Sequence, residues 1–128
     1  MNHTDPTTRE LLELAAKAMG LELIPMEMNN VAFPGDYRFI GFMTKAEQWP
    51  RGWFYPATIQ ADSDRMACTL EIDISWHSGY VIARAFPSGF EESDQIEKLT
   101  THDGTLERKC AAVREARLLV AAEIGRTK

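Results

Sequence analysis

At 128 residues, 45% of them apolar and 26% charged, the chain has the size of one domain, residues 1–128, and can bury a core without disulfides or structural metal. The formal net charge of −5 weighs against a nucleic-acid partner, because phosphate contacts supply most of that affinity, and it suits solubility or a basic protein partner. No apolar run approaches the roughly 20 residues of a membrane span, and MNHTDPTTRE at the start lacks the basic-then-apolar layout of a signal peptide.

Asp5-Pro6 suits the start of a helix, with Thr7 and Glu10 as an alternative capping box. Leu11, Leu12, Ala15, Ala16 and Met19 then recur at helical spacing, and Gly20 offers a left-handed stop. LELIP, 21–25, reads as a short strand ended by Pro25. Residues 26–36 hold Asn29-Asn30 and Pro34-Gly35-Asp36, a loop and a turn. YRFIGFM, 37–43, is apolar on both alternating sets, as a central strand would be. Prolines and Gly52 then predict a loop, with one helical turn at 44–48 as an alternative.

ADSDRMACTLEIDISWH, 61–77, fits two periods. As a strand, Cys68, Leu70, Ile72, Ile74 and Trp76 alternate with polar residues; as a helix, Met66, Leu70 and Ile74 form a stripe behind Asp62. Ser78-Gly79 predicts a hairpin turn into the strand-like GYVIARAF, 79–86, and Pro87-Ser88-Gly89 a further turn. FEESDQIEKLTTHDG, 90–104, is acidic and weakly patterned, and reads as a mobile connection with a helical turn near 93–98. Asp103 or Thr105 can cap the last helix. Leu106, Cys110, Val113, Ala116, Val120 and Ile124 form its stripe, widened by Ala112 and Leu119, and Gly125 ends it.

RELLELAAKAMG near one end and AAVREARLLVAAEIG near the other resemble the two terminal helices of small phage and prophage proteins of the phage ABA-sandwich-domain type. Trp53-Phe54-Tyr55-Pro56 followed by ADSDRMACTL resembles their W-x-P step and short middle helix, with one extra residue between Trp and Pro. His102-Asp103 lies where such chains lead into the last helix. The resemblance covers about half of the chain. It implies phage origin and an α+β fold: a mainly antiparallel sheet, N- and C-terminal helices packed on it in an ABA sandwich, and a short middle helix. It implies no reaction. With it, 61–77 resolves into a helix from about Ser63 to Leu70 capped by Asp62, then a strand from about Ile72 to Trp76. One long strand over 67–76 stays as the alternative.

The chemistry-bearing residues are sparse. Asp62, Asp64, Asp73 and His77 would need to converge to hold a metal, and capping and solvation account for them instead. Cys68 and Cys110 lack CxxC spacing and read as buried thiols of a reducing, cytoplasmic compartment. No glycine-rich phosphate loop occurs, and no metal or cofactor is expected. Arg117 falls inside an apolar stripe, where it would pair with Glu71 or Asp73 or snorkel outward.

WPRGWFYP, 49–56, packs four aromatics into seven residues around Arg51 and Gly52. Trp, Tyr and Arg dominate binding hot spots, which makes Trp49, Arg51, Trp53 and Tyr55 the candidate partner-binding residues. The competing reading is that the aromatics close one end of the core. The expected function is a non-enzymatic phage or prophage accessory protein that binds a host protein, such as an inhibitor of host defence. The alternatives are a small-molecule or nucleotide module and a metal-dependent hydrolase using the Asp and His groups. A second copy would be a further partner if either terminal helix left an apolar face uncovered.

Overall fold

The structure, a computed structural model, describes residues 6–27, 40–44, 49, 53–87 and 95–128. Its elements run α1 (Pro6–Ala18), β1 (Leu23–Glu27), β2 (Ile40–Thr44), β3 (Trp53–Phe54), α2 (Gln60–Leu70), β4 (Asp73–His77), β5 (Tyr80–Ala85), β6 (Ile96–Thr101) and α3 (Leu106–Arg126). The class is α+β. Two antiparallel three-stranded sheets form, in the orders β1-β2-β3 and β4-β5-β6. The terminal helices and a short middle helix accompany them, as the sequence predicts.

The helices form a layered stack. α3 lies directly against β5 and β6, and α1 and α2 pack on α3. This position explains why α3 is buried on more than one stripe. Val113, Ala116, Val120 and Ile124 are buried, and so are Ala112, Leu118, Ala121, Ala122 and Gly125. Alanine lets a helix be covered on several sides at short interaxial distance. Leu106, the first residue of the predicted stripe, is 78% exposed, because it precedes the covered part of α3.

Gly125 does not end the helix, which continues to Arg126. A Cβ built there would overlap the carbonyl oxygen of Leu14 and stand 2.6 Å from its carbonyl carbon. Glycine is at this position because the α1 backbone runs against it. Gly20 does stop α1, at φ +73°, in the left-handed region that glycine tolerates. The predicted α1 face holds: Leu11, Leu12, Ala15 and Ala16 are buried. The proposed cap at Asp5 lies outside the described residues.

The ambiguous stretch 61–77 is a helix followed by a strand. Met66 and Ala67 face the core, and Glu71 at φ 55° reverses the chain while the Ile72 amide donates to the Ala67 carbonyl at 2.9 Å. The predicted hairpin forms between β4 and β5, with Gly79 at φ +82°. Cys68, predicted buried, is exposed, and Cys110 is half-buried. The buried side of α2 is set by Asp62, Ser63, Met66 and Ala67, and Cys68 turns away from it.

Two strands differ from expectation. β1 continues through Pro25, which pairs opposite Phe42. An edge strand tolerates the missing amide, and β1 is at the edge of its sheet. The predicted connection at 90–104 contains β6, and its residues 96–98 are strand and not a helical turn. Residues 88–94, 28–36 and 45–48, on which other loop and turn expectations fall, lie outside the described residues, as do 37–39 of the predicted central strand. The remainder of that strand is β2, the middle one of its sheet.

Candidate functional site

The aromatic segment is knotted to α2 by one carboxylate. Trp49 is 3% exposed and Tyr55 is 5% exposed. The Trp49 indole N–H donates to Asp62 Oδ1 at 3.1 Å, and the Tyr55 amide donates to Asp62 Oδ2 at 3.0 Å. Trp49 meets Phe54 edge to face at 5.1 Å, and the Arg65 guanidinium lies 5.5 Å over the indole. Tyr55 and Trp49 are therefore enclosed side chains, which corrects their candidacy as an exposed contact surface. Burial pushes the Tyr55 phenol up to about 12. Trp53 belongs to β3, and its side chain and all of Arg51 lie outside the description.

Asp62 is not the N-cap. α2 begins at Gln60 behind Ile59, whose side chain makes no cap. The Tyr55 carbonyl accepts from the Ile59 amide at 2.8 Å, so the tight turn 55–59 starts the helix three residues early. Asp62 then falls in the first turn, where the dipole favours a negative charge, and its oxygens are turned on the aromatic segment.

A second set of contacts joins α2 to α3. Arg117 donates to Asp64 Oδ1 at 2.6 Å and to Ser63 Oγ at 3.3 Å. Asp64 is partly desolvated, which raises its carboxyl. Hydrogen bonds from Arg117 and Gln60 and the Arg117 charge outweigh this and hold it below the usual carboxylate range. Arg117 thus pairs with the middle helix and not with Glu71 or Asp73. Arg114 donates Nε to the Ala57 carbonyl at 3.2 Å and a terminal nitrogen to Gln60 Oε1 at 3.0 Å. Beside it a cleft of about 210 Å³ opens between α3, the end of β6 and residues 57–58, walled by Arg108, Arg114, Glu115 and Thr101 over an alanine floor.

Asp62, Asp64, Asp73 and His77 do not converge. Asp62 holds the aromatic segment, Asp64 holds Arg117, and Asp73 and His77 stand at opposite ends of β4. Among the described residues no three His, Cys, Asp or Glu side chains come together as a metal site. Thr105 caps α3, accepting from the Arg108 amide. Asp103 braces Thr105 by accepting from its amide at 3.0 Å and its hydroxyl at 2.8 Å, bonds that hold the Asp103 carboxyl below its ordinary value.

The remaining surface is a sheet face. Residues directly opposite in an antiparallel pair share a face. Val81, Ala83, Ala85 and Thr100 are buried towards α3, where Thr100 donates to the Ala112 carbonyl at 2.7 Å. The opposite face presents three rows. Asp73, Arg84 and Glu97 form a charged row, with an Arg84–Glu97 ion pair at 2.7 Å. Ser75, Ile82 and Leu99 form the middle row, and Leu99 is 54% exposed. His77 and Tyr80 stack at 4.6 Å with rings 6° from parallel. α3 covers the other face, and α1 and α2 contact α3. The sequence pattern missed this surface because Leu99 belongs to β6, the strand read as a connection.

Comparison with protein-family models finds no match, and neither curated proteins nor solved structures are significantly similar to the chain. No described helix is long and apolar enough to cross a membrane.

Proposed function

We propose that the chain is a non-enzymatic accessory protein of phage or prophage origin that acts by binding a host protein, with inhibition of a host defence system as the fitting role. The phage origin rests on the resemblance of the two terminal helices. The binding surface rests on one observation: Leu99, Ile82 and the Tyr80–His77 stack lie on the sheet face opposite the one that α3 covers. Exposed apolar area rimmed by charge is the usual anatomy of a docking surface. Asp73, Arg84 and Glu97 along its rim sum to one negative charge, and the whole chain carries −5. The partner is therefore expected to present an apolar anchor with a basic flank.

This moves the contact from the segment 49–56 to the sheet. Trp49 and Tyr55 act by holding that segment to α2, while Arg51 and Trp53 remain contact candidates on sequence grounds. The test is affinity capture from host lysate, followed by titration of the purified partner against wild type, L99D and C68S. Loss of the partner with L99D, at an unchanged melting temperature and with C68S still binding, supports the reading. Equal binding by L99D and wild type removes the sheet face from it.

A further inference from the structure

We infer that the cleft beside Arg114 is a binding site for a small zwitterion of the amino-acid class. Its carboxylate would be held by Arg108 and Arg114 and its ammonium by Glu115. The cleft lies along α3 and meets the sheet at Thr101, at the end of β6, and the inference does not rest on the host-protein reading.

Arg114 is pre-positioned by the Ala57 carbonyl and the Gln60 amide oxygen. It has further N–H groups to give, since guanidinium carries five donors in a rigid fork. Arg108 and Glu115 line the same cleft, and neither forms an ion pair within the described residues. They are seven residues apart on α3, about two turns or roughly 10 Å along the axis. Ala111 and Ala112 between them leave the floor open. Two opposite charges that face one cleft without meeting are both satisfied by a ligand that carries both signs.

Arg108 also stands in the first turn of a 21-residue helix, where a cation opposes the dipole. Its charge helps to lower the Asp103 carboxyl, but less than the Thr105 hydrogen bonds do. An anionic group bound there would be favoured by the guanidinium and by the helix end together. The volume of about 210 Å³ lies below the roughly 300–1,000 Å³ of drug-sized pockets. That size suits an amino acid.

Titration calorimetry on the full chain tests this, with the common L-amino acids, propionate, ethylamine and inorganic phosphate as probes. The expected result is saturable binding of one or more amino acids. R108Q and E115Q should each weaken it at least tenfold at unchanged melting temperature. Binding of phosphate and propionate as tight as any amino acid, indifferent to E115Q, would show a plain anion site and overturn the assignment. So would the absence of binding by every probe at millimolar concentration. Amide chemical-shift changes centred on Ala111 and Ala112 would place a positive result in this cleft, and changes elsewhere would refute the location.

Discussion

Trp49 and Asp62 are joined by a buried hydrogen bond, indole N–H to Oδ1 at 3.1 Å, and the second oxygen of the same carboxylate takes the Tyr55 amide at 3.0 Å. One side chain thus fixes both ends of the aromatic segment to the start of α2. Removing it leaves two buried donors without an acceptor, each at about 1–3 kcal/mol. D62A is expected to lose at least about 2 kcal/mol in urea unfolding. D62N, which keeps one acceptor oxygen, should lose less. Equal stability of D62A and wild type would refute the knot.

Gly125 tests the α1–α3 crossing. Alanine has the better intrinsic helix propensity by about 1 kcal/mol, yet its Cβ would overlap the Leu14 carbonyl. Overpacking of this kind costs about 1–3 kcal/mol. G125A should therefore lower the melting temperature, against the direction that propensity alone predicts. A rise would mean that the helices are not in this contact.

The ion pair between Arg117 and Asp64 has a pH signature. A carboxyl whose native value lies below its ordinary 3.8 adds stability that is complete above 3.8 and lost as pH falls through the lowered native value. D64N should flatten the stability profile below pH 4 relative to wild type. Superimposable acid limbs would contradict the pairing. The effect will be small, because Asp64 is more than half exposed and solvent screens it.

Tyr55 carries the opposite signature. Its phenol is pushed from 10.0 to about 12 by burial, so stability is intact below pH 10 and falls as pH rises towards 12, where the unfolded chain ionises first. Absorbance at the phenolate band should show a late step that Y55F removes. If Y55F leaves the alkaline titration unchanged, the ring is not enclosed as the structure has it.

Several elements were legible in the sequence because their signal is local. The α1 face, the Gly20 stop, the Ser78-Gly79 hairpin and the body of α3 follow from periodicity and turn chemistry over a few residues. The helix at 60–70 was found with the wrong cap, because Asp62 next to an apolar run reads as a cap whether or not a tryptophan stands above it. β6 was hidden by its composition. Lys98 points towards α3, within 3.9 Å of Glu123, while Leu99 points away from it, so polarity does not alternate with the pleat.

By itself, then, the sequence determined an α+β chain with two terminal helices and a strand-turn-strand unit. The tertiary structure decided the roles: Trp49 and Tyr55 as enclosed side chains, Asp62 as their anchor, Gly125 as a contact point, and Leu99 as part of an open face. The physical reason is range. Helical and strand periods are encoded between near neighbours, whereas burial, hydrogen-bond partners and free surfaces depend on which distant elements dock, and the stretch from Trp49 to Asp62 acquires its meaning only when α2 folds back against it.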